Sequence, residues 1–555
     1  MLRAVRTAAS GPADFAACGR LAPALLTGLT VWTENNGTVM DGIGRRRFVA
    51  QLAGAALASA SWEAGAQTAP KPQGPPRFNF EEVVRRARDL ATAPLAPSPN
   101  LPEALARLDR SFAGDIKFRP ERAFLATQGS RFRLQPVHLI SRRSRPVTVN
   151  LIRDGIPTPI PYAASLFDFG RAKFDKPLPL NLGFAGFRLQ FQLNDPGVFA
   201  DVLTFSASSQ FGLLGRGQRP GAALRALTVN AGRDNEEFPF FREFWIQTPQ
   251  PDADRATIYG LLDGDSVTGA FRFDVTPGAQ TSMDVTAQIF PRRIGGELGF
   301  APISSMFLNG QSESRDFGLE AHSSDGLALH TGSGEWVWRP LRNPSHPDRF
   351  AFLDTNPRGF GLLQRERRFD RYQDLEKAYE RRPGYWIEPV GDWGAGQIEL
   401  TERPAADASG FNIGAAWKSI EPLDPARVIA IAYRVFTNRN DAGLLPLGRA
   451  LQTIRASAPA PGGAPASSTA SQRFIVDFAG GDLAWFLGDP ARVEPVATIS
   501  AGRVLEVVLT ANAHIHGFRA TLDIEPPAGQ TVDIRLFLRN AGRALTETWT
   551  LPWSS

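Results

Sequence analysis

Between residues 116 and 400 the chain alternates apolar and polar positions in short runs broken by Gly, Pro, Asn and Asp. Runs such as FRLQFQL (187–193), ATIYGLL (256–262), GAFRFDV (269–275) and SMDVTAQIF (282–290) have a period of two. That period places every second side chain on one face, as in half-buried antiparallel strands. The pattern resumes after Pro422 with RVIAIAYRVF, RFIVDFAG, RVLEVVLTAN and TVDIRLFLRN. About seven strands in about 130 residues suit an immunoglobulin-like sandwich. Two stretches have helical spacing instead. FNFEEVVRRARDLA and LPEALARL, within 78–108, predict two short amphipathic helices. RYQDLEKAYERR (371–382) predicts a helix with Tyr372, Leu375 and Tyr379 on one face, ending before Pro383 as a lid or brace on the sheet. No βαβ alternation and no fixed-period repeat is visible. The fold expected is all-β: a large N-terminal β-sandwich over 78–417, a linker at 418–422, and a C-terminal immunoglobulin-like β-sandwich over 423–555. Residues 456–469 form a low-complexity loop without packing residues.

The N-terminus has a different logic. Gly44-Arg45-Arg46-Arg47-Phe48-Val49 precedes an apolar run of small residues and then Ala64-Gly65-Ala66, the order of a secretory signal. The paired arginines followed by Phe48 favour the twin-arginine route, with cleavage near Ala66/Gln67. Residues 1–39 read as an upstream extension before a second start at Met40, so 1–66 is extension plus signal and 67–77 a Pro-rich leader. No apolar run approaches the ~20 residues of a spanning helix. The expected location is therefore periplasmic, with no membrane span.

Composition then narrows the chemistry. Apolar residues at 43% and charged residues at 21% are ordinary for a globular protein. The one cysteine, Cys18, falls in the removed segment, which excludes internal disulfides, thiolate metal clusters and cysteine catalysis in the mature chain. A formal charge of +5, spread thinly, offers no basic stripe, so no nucleic-acid partner is expected. His514 and His516 are two apart but have no third ligand spaced nearby, and no nucleophile elbow, P-loop or dinucleotide fingerprint occurs. No metal and no cofactor is expected. The informative stretch is 322–417, where aromatic residues and carboxylates interleave. A sugar offers apolar C–H faces edged by hydroxyls, so a carbohydrate groove needs flat rings beside carboxylates and arginines. Trp336, Trp338, Arg339, Tyr385, Trp386 and Trp393 are the candidate sugar-binding residues, although for any single tryptophan core packing explains the pattern as well.

A set of long motifs in one order gives a family resemblance. They include LGFAGFR (182–188), EEFP (236–239), YGLLD (259–263), APISSMF (301–307), GEWVWRPL (334–341), NPRGFGLLQ (356–364), RPGYWIEP (382–389) and FIVDFAGGDL (474–483). Over nearly the whole mature chain the sequence resembles the periplasmic glucan biosynthesis proteins G and D, with the twin-arginine signal closer to the D type. The resemblance implies a large sandwich bearing a long cleft, joined to an immunoglobulin-like domain. It implies β-1,2-glucan as ligand and an inner-membrane glucan synthase as a possible partner. Some D-type members are inverting β-1,2-glucanases, and related enzymes are transglycosylases. In the active members one essential carboxylate lies in a His-Asp-Ser-Asp segment and the general acid in an Asp-Asn-Ile segment. Here those segments read His322-Ser323-Ser324-Asp325 and Phe411-Asn412-Ile413, so Ser323 and Phe411 stand at the two positions.

Phenylalanine cannot donate a proton, and serine is a poor base without an activating partner, so the family's inverting mechanism is expected to be lost. Three readings stay open. The first is a protein that binds or shapes the glucan without cutting it. The second is a glucanase or transglycosylase using relocated carboxylates, with Asp392, Asp325 and Glu388 as candidates. The third is a structural envelope protein without sugar affinity, which burial of Trp336, Trp338 and Trp393 would support.

Overall fold

The computed structural model describes residues 4–6, 77–97, 102–106, 114–126, 129–139, 145–174, 177–206, 208–310, 319–438, 443–457 and 471–554. The expected export signal, most of the Pro-rich leader and most of the low-complexity loop lie outside the described residues. None of the described helices is long and apolar enough to cross a membrane.

The helix Phe80–Ala91 starts where Asn79 Oδ1 accepts the Glu82 N–H at 3.2 Å, a side-chain cap that satisfies one of the otherwise orphaned first-turn donors. Its buried residues Val83, Val84 and Ala87 pack on Trp245, Tyr259, Ala270 and Phe290. The second expected helix is short, Glu103–Ala106.

Two large sheets follow. One runs in the order Asp348–Thr355, Ala395–Glu402, Ile413–Ser419, Leu298–Ser305, Ala223–Arg225, Gln210–Leu213, Ala200–Ser206, Gly186–Phe191, Phe132–Val137. The other begins Ile156–Pro159, Thr148–Arg153, Phe240–Gln247, Ala256–Asp263, Val267–Thr276, Ser282–Pro291. Their inner faces meet through aromatic rings: Phe187 lies 5.1 Å from Phe244, and Phe205 4.9 Å from Phe273. The protein is thus an all-β sandwich, as its period-two runs demand.

The expected break at 418–422 does not divide the sheets. Ile429–Asn438, read as the first strand after the break, pairs with Ser282–Pro291 on one side and Gly384–Val390 on the other. Its inward residues Ile431, Tyr433 and Val435 belong to the first core, so their burial holds this strand in the larger unit. The same sheet continues through Gly359–Leu363, Gly326–His330 and Trp336–Pro340 to the C-terminal strand Thr548–Ser554, which pairs with Trp336–Pro340 in parallel. A separate sheet of Arg449–Ser457, Gln472–Ala479, Gly517–Glu525 and Arg503–Asn512 covers this end. Phe474, Phe518, Ile534 and Trp549 fill the second core between the layers.

The stretch 371–382 is not one helix. A single turn, Phe369–Tyr372, ends at Gln373 with φ 50°, and a 3₁₀ turn, Tyr379–Arg381, begins after Ala378 with φ 42°. Asp374 Oδ1 accepts the N–H groups of Glu376 and Lys377, an alternative to helical pairing. Tyr372 and Tyr379 still stack, 5.7 Å apart, in a small core with Met306, but Leu375 is exposed. His514 and His516 sit on a turn at Ala513–Ile515, not on a strand face, and no metal-holding cluster occurs among the described residues.

Two histidines link this packing to pH. His138 is buried, with Nδ1 2.6 Å from the Leu139 carbonyl and Nε2 2.9 Å from the Tyr162 hydroxyl, which suits a neutral ring donating to the one and accepting from the other. Burial lowers its pKa to about 4, and burial, aided by Arg358, does the same for His330. Between pH 6.5 and 4 the unfolded chain then binds protons that the native state refuses, so stability present above the unfolded pKa is lost as pH falls through this window. Unfolding by urea at stepped pH values is expected to show a slope approaching two protons, falling by about one in His138→Gln. An unchanged slope in that variant would remove His138 from the account.

Candidate functional site

The positions of Ser323 and Phe411 are far apart in sequence, but one segment brings them together. The Ser323 N–H donates to the Met306 carbonyl at 2.7 Å, and the Asn412 N–H to the Ser305 carbonyl at 3.1 Å. Asn412 locks its side of this arrangement. Its Oδ1 accepts the Phe307 N–H at 2.9 Å while Nδ2 donates to the Phe307 and Arg403 carbonyls. The segment Ser305–Phe307 therefore carries Ser323 on one flank and Phe411 on the other.

Neither flank carries a carboxyl at these two positions. Ser323 is buried, and its Oγ accepts a 2.7 Å hydrogen bond from Arg382 Nη1. A guanidinium has no lone pair to take the serine proton, so this contact cannot activate the hydroxyl. Arg382 lies over the Tyr379 ring at 4.1 Å, and burial holds its pKa below the usual value. No carboxylate lies within ion-pair distance of it among the described residues. Phe411, in contrast, is 47% exposed.

Phe411 lines a recess of about 170 Å³ with Phe238, itself 45% exposed. Phe238 is fixed by its neighbour Glu237, whose carboxylate accepts the Ser266 N–H, and Arg225 lies 4.4 Å from the Phe238 ring centre. Two carboxylates reach the recess, and both are spoken for. Glu236 pairs with Arg403 at 3.2 Å, and Glu399 pairs with Lys418 at 2.7 Å and Arg349 at 2.9 Å. Two part-exposed phenyl rings thus stand beside Arg225 and Arg403 in the recess. Phe238 was within the EEFP motif, but no local feature distinguished it from a core phenylalanine.

The expected tryptophan platforms are corrected. Trp336, Trp338, Tyr385 and Trp386 are buried, as is Arg339. Trp336 stacks on His330 at 4.1 Å and on Trp386 at 5.5 Å inside the second core. Their rings lie flat across glycines of neighbouring strands: a Cβ at Gly326 would come within 2.1 Å of the Trp338 ring, and one at Gly359 within 2.3 Å of Trp386. The exposed side of Trp338 is taken by Arg365, 3.5 Å away, which also forms a paired contact with Glu547. Tyr385 exchanges hydrogen bonds with the Leu213 backbone. Arg339 pairs with Glu402 at 3.0 Å. Trp393 is half-buried on the first core, with Nε1 donating to the Ala432 carbonyl.

The relocated acids are also dispersed. Asp392 is exposed, and its Oδ1 accepts the Gly394 N–H at 2.9 Å, which makes it a turn residue. Glu388 stands opposite Arg434 in the strand pairing. Asp325 lines a different, larger cavity, and burial pushes its carboxyl above the usual range.

The comparisons with known proteins agree with the motifs. The sequence model described as "Periplasmic glucan biosynthesis protein, MdoG" matches residues 78–553. The chain is 38% identical over 509 residues to the probable glucans biosynthesis protein D of Shewanella oneidensis, covering 90% of this chain and 92% of that one. It is 39% identical over 505 residues to glucans biosynthesis protein D of Stenotrophomonas maltophilia, covering 89% and 92%. With that of Xanthomonas campestris pv. campestris it shares 38% over 490 residues. The chain belongs to the MdoG family of periplasmic glucan biosynthesis proteins.

Proposed function

We propose that this protein serves periplasmic glucan biosynthesis by binding and shaping the β-1,2-linked glucose backbone, without cutting it, at the recess between Phe238 and Phe411. The observation that carries this reading is the exposed Phe411 ring at the position of the family's general acid, together with a Ser323 hydroxyl that is buried and held by Arg382. With the recess carboxylates in ion pairs, the site offers no group free to protonate a leaving oxygen, while its phenyl faces remain open to stack on glucose. Arg45-Arg46 with Phe48 supports export by the twin-arginine route, which would deliver the sandwich already folded to the periplasm. The partners expected there are the nascent glucan and an inner-membrane glucan synthase.

The test uses the mature chain from Gln67 onward with linear β-1,2-glucan, following products by chromatography and binding by calorimetry in the same samples. Binding with no shortened or cyclised product is expected. Turnover would overturn the non-catalytic reading, and absence of both binding and turnover would favour a structural envelope role.

A further inference from the structure

The recess that holds Phe238 and Phe411 carries an excess of positive charge. Arg225, Arg403 and Lys418 line it against two carboxylates, Glu236 and Glu399. Arg403 holds Glu236 at 3.2 Å, and Lys418 and Arg349 hold Glu399 at 2.7 and 2.9 Å. That leaves Arg225 as the lining cation with no carboxylate within ion-pair distance among the described residues. Of its guanidinium N–H groups, one on Nη1 donates a solvent-exposed hydrogen bond to the Ser208 carbonyl at 3.1 Å. Burial lowers the Arg225 pKa, and Glu236 offsets only part of that, the mark of a cation drawn partly out of water without a close counter-charge.

A cation withdrawn from water is costly unless it is paired. Arg225 gains some compensation from the Phe238 ring, whose centre lies 4.4 Å from its guanidinium carbon. A guanidinium laid over a ring keeps its in-plane N–H edges clear of that ring, and this fork matches two oxygens of a carboxylate or a phosphate. We propose that the recess takes an acidic sugar, a glycosyl unit that carries a carboxylate or phosphate, with Arg225 gripping the anion and Phe238 and Phe411 facing the ring. This rests on the reading that the recess holds a glucan and narrows it, since an acidic glucan is then bound in preference to a neutral one. Arg403 and Lys418, already held by carboxylates, leave that preference to Arg225.

The test compares linear β-1,2-glucan with the same glucan partly oxidised at its primary hydroxyls to carboxylates, each titrated by calorimetry into the full mature chain. The acidic form is expected to bind about tenfold more tightly, the worth of one charge-assisted contact. In Arg225→Gln the ratio of the two affinities is expected to fall to about one, whereas Arg225→Lys, which keeps the charge without the fork, retains an excess of about threefold. The lysine variant thereby separates loss of the anion's ligand from loss of the fold. Equal affinities in the parent chain would overturn the inference while leaving glucan binding in place. An excess that persists in Arg225→Gln would assign the preference to general attraction and overturn it as well. Inorganic phosphate is the second probe: if it binds through Arg225 while the acidic glucan shows no excess, the site takes free anions and the sugar-borne reading falls. Failure of both glucans to bind would overturn the recess reading itself, and this inference with it.

Discussion

Phe411→Ala weakens binding of linear β-1,2-glucan about tenfold, and Phe238→Ala does the same, with the pair together losing up to about a hundredfold. The reasoning is one of area. Both rings are nearly half exposed in the recess, and a sugar face laid on a phenyl removes apolar surface worth roughly 25 cal/mol per Å² from water. A loss near 1.4 kcal/mol per ring is a factor of about ten in affinity. The rings share one recess, so their effects couple and the double variant falls short of the product if one sugar spans both. Stability is unaffected, because neither side chain fills the core. Calorimetry on the two single variants and the double one checks this; affinities within twofold of the parent would place glucan binding elsewhere.

Glu402→Ala is expected to destabilise the fold by about 3–5 kcal/mol, the cost of stranding a buried charge. Glu402 is fully buried, accepts from Arg339 at 3.0 Å and from the Arg342 N–H at 2.9 Å, and faces an Arg339 that is 1% exposed. Burial, partly offset by Glu402, pulls the Arg339 pKa down to about 10, a sign of how dry this position is. Replacing both partners by apolar residues, Arg339→Met/Glu402→Leu, is expected to cost less than the single change, since it removes both desolvation penalties. Urea unfolding of the three proteins decides the matter. A Glu402→Ala variant within about 1 kcal/mol of the parent would mean that Arg339 reaches water and is again available to a sugar.

These two predictions reverse the roles that spacing suggested. Trp336, Trp338, Arg339, Tyr385 and Trp386 sit on strands with the alternation of a half-buried sheet, and alternation says only that residues share a face. It does not say whether water or a second layer covers that face. Here the parallel pairing of Trp336–Pro340 with Thr548–Ser554 brings the C-terminal layer over the face that carries Trp336, Trp338 and Trp386, a contact between segments some two hundred positions apart in the chain, while Tyr385 and Arg339 point to the other face, where Leu213 and Glu402 hold them. Phe411 posed the opposite problem. In the sequence it looks like the loss of an acid, and only its proximity to Phe238 turns it into half of a platform.

Local patterns determined what local physics controls. The strands Ala256–Asp263, Val267–Thr276 and Ser282–Pro291 follow from period-two runs, Phe80–Ala91 follows from its spacing and its Asn79 cap, and the motif order identifies the family. The helix expected at 371–382 failed because Asp374 offers the backbone a competing acceptor and Tyr372 and Tyr379 find each other without it. The division between sheets, the burial of the tryptophans and the meeting of Phe238, Phe411 and Arg225 were decided by the tertiary structure. Each depends on which distant face covers which, and the burial of apolar area that selects among such pairings is summed over the whole molecule rather than written at any one position.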